Sequence, residues 1–267
     1  MRPSATFAIV LRQVFLLRGS PTRLLPMVGW VAIDIVLWGF ITRYLSALTG
    51  PRVNLVAAIL GAVLLWDFLG RVMQGVTTAF FEDVWSRNFL NIFATPLTIA
   101  DYLGGLVITG VCTSLLGLAV MLTLATTVFG LSFLAYGAAM IPFILVLFVT
   151  GISLGVLGAA IVLRLGPASE WLIWPIPSLL SPFAGVFYPV ATLPAWMQGI
   201  SHGLAPSYVF ESMRAIVAGR PAPWDQLALG ATLSVIYLAL ACVAFAAVHR
   251  YAIRSGLIAR YSAETTN

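Results

Sequence analysis

Few side chains in this chain of 267 residues could do chemistry, and most of them lie where water is scarce. Gly151-Ile152-Ser153-Leu154-Gly155 has the G-x-S-x-G spacing of a nucleophile elbow. That motif needs a strand-to-helix turn to present its serine, and here it sits inside an apolar run that reads as helix. The two histidines, His202 and His249, are not placed by any motif to act as its base. As G-x-x-x-G the same residues would let two helices approach closely, and we favour that reading. There is no lysine, so all 14 positive charges are arginines. A P-loop and a Schiff base both need a lysine amine, so both are excluded. No H-E-x-x-H pattern or Cys/His cluster predicts a metal site. Cys112 and Cys242 read as small packing residues.

Three charges interrupt apolar stretches. Asp34 falls about midway along the first, while Asp67 and Arg71 stand four residues apart on the second and so share a helix face. A charge at membrane depth costs roughly 2.5–3.5 kcal/mol on insertion scales, so all three should face a bundle interior or a wet cavity. Asp67 and Arg71 read best as a structural pair that neutralises itself. Asp34 has no partner on its own helix, and a place on a transport route or a dimer seam is as good a reading as a structural one. Arg43 lies near the end of its stretch and can snorkel to the interface.

The elements that must position these residues follow from composition. The chain is 61% hydrophobic and 9% charged, against roughly 25% charged in soluble domains. A soluble enzyme, a disordered chain and a disulfide scaffold are all excluded. At about 20 apolar residues per span, six spans are expected in an all-α polytopic membrane protein. They run from Leu24 to Leu45, Leu55 to Phe80, Gly104 to Val128, Phe133 to Leu163, from near Trp171 through Pro175, Pro177 and Pro182, and from Leu227 to Val248. Residues 1–19 do not have the pattern of a signal peptide. Phe7, Val10, Leu11, Val14 and Leu17 recur at helical spacing, as in an amphipathic helix lying in the membrane interface or in an early extension of the first span.

Residues 189–225 are apolar only in short pieces cut by Pro189, Pro194 and Pro206, so they predict re-entrant helices between spans five and six. With six spans both termini share one side. That side holds nine arginines against three on the other, which makes it the cytoplasm of an inner-membrane protein. The net charge of +5 is scattered and forms no patch for nucleic acid.

Two stretches resemble the permease subunit of ABC exporters of the type-2 family. Glu82-Asp83-Val84-Trp85-Ser86-Arg87-Asn88, leading to Ala94-Thr95-Pro96-Leu97, is similar to that family's cytoplasmic turn after the second span. Leu180, Ser181, Gly185, Phe187, Pro189, Leu193, Pro194 and Trp196, followed by Pro206-Ser207-Tyr208, Glu211 and Arg214, are similar to its signature after the fifth. Only Ser207 separates Pro206 from Tyr208, where the family more often has two residues. With the amphipathic start and six spans, the resemblance covers nearly the whole chain.

It implies a half-transporter that pairs with a second permease copy, expected to be identical, and with two separate ATPase subunits. This chain would carry no cofactor, and ATP and magnesium would sit in the partners. Glu82, Asp83, Trp85, Arg87, Phe89, Asn91 and Pro96 would form the coupling segment within residues 82–101. Phe187, Pro189, Pro194, Trp196, Pro206, Tyr208, Glu211 and Arg214 would shape an outer gate. Asp34, Asp67 and Arg71 would lie at the lumen or dimer seam. The cargo class it implies is amphipathic, lipid-linked, glycan or drug-like.

The residues themselves agree that a chain without a P-loop must borrow any ATP-derived energy, and that a coupling element should be polar and joined rigidly to spans. The plainer reading of the same segment is a solvated loop with Trp85 as an interfacial anchor. Two other classes compete. A secondary transporter or channel would want paired acids in several spans. An intramembrane enzyme would want clustered His, Asp or Glu at one depth, and none is visible.

Overall fold

The computed structural model describes residues 2–19, 21–49, 56–86, 91–92, 95–131 and 133–256. Apolar runs with prolines confined to their ends wind into long helices: α1 (Pro3–Arg18), α2 (Pro21–Thr49), α3 (Gly61–Trp85), α4 (Ile99–Phe129), α5 (Met140–Leu165) and α9 (Trp224–Arg254). Shorter helices α6 (Ile176–Ala184), α7 (Ala195–His202) and α8 (Ala205–Val217) fill the interval before α9. Among the described residues there is no strand. Among the described residues, four helical stretches are long and apolar enough to cross a membrane: Ala58–Trp85, Ile99–Phe129, Tyr136–Leu165 and Trp224–Arg254. They match the second, third, fourth and sixth expected spans. The chain is therefore built as a helical membrane protein.

Where the fifth span was expected, no long helix forms. A 3₁₀ turn over Pro167–Leu172 is followed, after a turn, by the nine residues of α6. Pro175 and Pro177 stand at the start of α6, where a proline cannot continue a preceding helix, and Gly185 ends it. Nine helical residues cover about 14 Å, well short of the ~30 Å hydrocarbon core. The expected first span lies inside α2, a continuous helix of 29 residues.

α3 is the hub. It packs on α4 and α5, α9 lies along α5, and α1 and α2 both rest on α4. Small residues set these distances. A Cβ on Gly151 would lie 2.7 Å from the Cβ of Val72, and one on Gly155 would lie 2.8 Å from that of Val76. The G-x-x-x-G pair is thus where α5 touches α3. Ser153 between them donates to the Val149 carbonyl at 2.7 Å within its own helix and stands on no elbow.

α1 is held by the face opposite its apolar stripe. Thr6, Ile9 and Gln13 are buried, and Ile9 lies against Gly105 of α4. Phe7, Leu11, Val14 and Phe15 are exposed. α1 is thus fixed to the bundle on one side and exposes an apolar surface on the other.

Candidate functional site

At the end of the bundle where α3 finishes and α4 starts, three elements meet on one carboxylate. Asp83, in the last turn of α3, is fully buried. It accepts a hydrogen bond and an ion pair from Arg12 of α1, and a hydrogen bond from the Tyr102 hydroxyl of α4 at 2.8 Å. Burial alone disfavours the Arg12 charge, but the bond and attraction of Asp83 outweigh it and hold the guanidinium above its ordinary value. Beside it, Thr98 and Asp101 form a capping box at the start of α4, and the other Asp101 oxygen accepts from the Arg2 N–H at 2.6 Å. Gln13 reaches the Ala79 carbonyl at 3.5 Å. Residues 2–18 are thereby bonded to both α3 and α4.

Asp83 does not lie on a surface that a partner could touch. Glu82, next to it, is half-buried and adds to the field at Arg12. Trp85 is exposed, and its indole N–H donates to Glu170 Oε2 at 3.1 Å. Trp174 donates to the other Glu170 oxygen at 3.3 Å. This carboxylate thus ties the end of α3 to the 3₁₀ turn after α5. Asn91 and Pro96 are exposed. Arg87 and Phe89 lie outside the described residues. Sequence reading missed Tyr102 and Glu170. Neither carries a motif, and only the buried charge of Asp83 and two nearby indole N–H groups give them partners.

The residues expected to shape an outer gate form a second site. Glu211 on α8 accepts from the Val190 N–H at 2.6 Å and from Arg214 Nη2 at 2.8 Å, while Arg214 Nη1 donates to the Val186 carbonyl at 3.4 Å. The Glu-x-x-Arg pair thus clamps the 185–190 loop onto α8. Gly185 ends α6 at φ +63°, and Arg214 Nη2 would come within 3.3 Å of any Cβ there. A side chain would be both strained and in the way. Phe187 stacks on Trp38 of α2 with ring centroids 5.2 Å apart. Pro189 and Pro194 sit just before the 3₁₀ turn Val190–Thr192 and before α7. Trp196 packs edge-on against Phe183 and is exposed.

Buried hydroxyls stitch the rest of this region. Ser201 donates to the Phe183 carbonyl at 2.6 Å, and Ser207 to that of Ser201 at 2.6 Å. Tyr208 donates to the His202 carbonyl at 2.8 Å. Pro206 is buried in the first turn of α8. The Tyr237 hydroxyl of α9 bonds the Gly203 carbonyl. Tyr237 stands thirteen residues past Trp224, about 20 Å along α9. The α7–α8 turn therefore lies along the first half of a candidate spanning helix, with Ala205 and Tyr208 beside Gly230.

Asp34, Asp67 and Arg71 come together across the α2–α3 boundary, close enough for mutual electrostatic interaction. All three are partly exposed. Arg71 also lies against α4, where a Cβ on Gly117 would meet its Cδ at 3.3 Å. Asp34, without a partner on its own helix, thus has two charged neighbours on the next one. Arg43 lies over the Phe129 ring of α4 at 5.9 Å. Among the described residues, no group of His, Cys, Asp and Glu could hold a metal ion.

No family model matches this chain, and no curated protein is significantly similar to it.

Proposed function

We propose that this chain is the membrane-spanning subunit of an ATP-driven exporter of the ABC type-2 class. One observation carries the proposal. The Glu211–Arg214 clamp and the Tyr237–Gly203 bond fold residues 185–217 into a hairpin that dips beside α9. A dip of that depth is tolerated in a bilayer only where protein satisfies the backbone, and the bonded hydroxyls of Ser201, Ser207 and Tyr208 supply that. It is the element expected of an outer gate.

In this reading the chain crosses the inner membrane six times, through α2, α3, α4, α5, the broken segment ending in α6, and α9. Both termini are cytoplasmic. Residues 82–101 receive the motion of two ATPase subunits, which hold the ATP and magnesium. Asp83 serves as the internal anchor of that segment, and Glu82, Trp85 and Arg87 provide its outward contacts. A second copy completes the path, because the partly exposed cluster of Asp34, Asp67 and Arg71 needs protein or a wet lumen over it. The cargo is amphipathic or lipid-linked.

A gradient-driven transporter is the second reading, favoured by the two mid-helix carboxylates. Reconstitution decides between them. The purified chain alone should hydrolyse no ATP and move no cargo, and should do both once its ATPase subunit is added. Transport by the lone chain under an ion gradient would establish the second reading instead.

A further inference from the structure

Beneath the α7–α8 turn lies a cavity of about 390 Å³ that plays no part in the proposed coupling. Five helices wall it, through residues such as Trp66 of α3, Leu154 of α5, Leu180 of α6, Pro206 of α8 and Leu240 of α9. No charged side chain lines it. Its hydroxyls are already committed. Thr150 donates to the Val146 carbonyl and Ser153 to that of Val149, both at 2.7 Å, and Tyr237 is bonded to Gly203. Water needs two to four polar partners to settle in such a space, and these walls do not offer them. Left empty, the cavity would forfeit dispersion contacts along its whole lining.

The surroundings say what fills it. The stretches Thr150–Leu157 of α5 and Tyr237–Ala244 of α9 lie in the middle of helices long enough to span a membrane, where the medium is hydrocarbon. Leu157 and Leu240 line the cavity and are also exposed, at 38% and 59%, so it opens sideways at that depth. α5 and α9 pack on each other elsewhere as well as walling this space. A helix is some 10–12 Å across, too thick for a space of about 390 Å³, whereas a single polymethylene chain fits. α6 packs chiefly on α7 and α8, which leaves the space behind it unfilled.

We propose that this cavity is a binding site for one acyl chain of a bilayer phospholipid, entered between α5 and α9 and roofed by the hinge of the outer hairpin. The polar headgroup stays outside, since the wall offers it no partner. The proposal does not depend on the ATPase reading and is tested without a partner subunit.

The full chain is placed in nanodiscs of phosphatidylcholine carrying a diazirine in one acyl chain, irradiated and mapped by peptide mass spectrometry. Adducts are expected on peptides holding Leu154, Leu180, Pro206 and Leu240, and they should be lost in Ala241→Phe or Leu154→Phe, which fill the space. Should neither variant fold, brominated acyl chains give a readout on the unmodified cavity. They should quench the fluorescence of Trp66, assigned by difference from Trp66→Phe. Adducts confined to outward residues such as Val235 and Val243, with Trp66 unquenched, would overturn the proposal. So would photo-cross-links from the cavity peptides to a second copy, or labelling that needs a lipid-linked cargo analogue and fails with phospholipid.

Discussion

Removing the Asp83 carboxylate should do more damage than any other single charge change at the end of the bundle where α3 finishes. Asp83→Ala removes the acceptor that the Arg12 guanidinium and the Tyr102 hydroxyl share. Breaking a buried pair from one side costs about 3–5 kcal/mol, and Arg12 is only 27% exposed. The expected result is a lower unfolding temperature in detergent and a faster protease cut between α1 and α2. Asp83→Asn keeps an acceptor for Tyr102 and should fall between the two. If Asp83→Ala and Arg12→Ala together cost as much as the sum of the singles, the pair is not coupled and its role as an anchor fails. Glu82 and Arg87 are a different matter. Glu82→Ala combined with Arg87→Ala should leave the fold intact and reduce cargo moved per ATP in the reconstituted complex. Unchanged export by that double variant would remove the coupling assignment.

Helices are the scale at which the chain was easiest to read from its letters. The spans expected at Gly104 to Val128 and Leu227 to Val248 fall within candidate spanning helices, and those at Leu55 to Phe80 and Phe133 to Leu163 overlap two more that begin at Ala58 and Tyr136, because long apolar runs admit few other structures in lipid. The fifth expected span is not one long helix: a 3₁₀ turn and the nine residues of α6, which begin just after Pro175 and end just before Gly185, stand in its place. The outer Glu-x-x-Arg could be picked out as a motif, but its partners Val190 and Val186 lie more than twenty residues away and accept or donate through backbone atoms, which no side-chain pattern reveals. The Arg12–Asp83–Tyr102 knot was hidden for the same reason of distance along the chain. The outer hairpin carries its own prediction. Trp196 is 65% exposed, so Trp196→Cys and Gln198→Cys should each react with a membrane-impermeant maleimide added to the outside of cells. Reaction only after permeabilisation would invert the assigned topology.

For the molecule as a whole, the cluster of Asp34, Asp67 and Arg71 sets the strongest constraint. Three charges that remain partly exposed near the middle of α2 and α3 cannot face acyl chains without a penalty of roughly 2.5–3.5 kcal/mol apiece on insertion scales. Neighbouring positions on α2 show how wide the uncovered face is: Ile33, Leu37, Phe40 and Tyr44 are all exposed in the single chain. A second copy that brings its own α2 against this face covers the apolar positions and encloses the charges in a shared polar lumen. That arrangement predicts a specific cross-link. In a background with Cys112 and Cys242 changed to Ser, Leu37→Cys in native membranes should give a disulfide-linked dimer under mild oxidation. Ile236→Cys, on the outward face of α9, should stay monomeric. If Ile236→Cys dimerises and Leu37→Cys does not, the seam lies along α9, and the three charges must then be covered by water from a path within one chain.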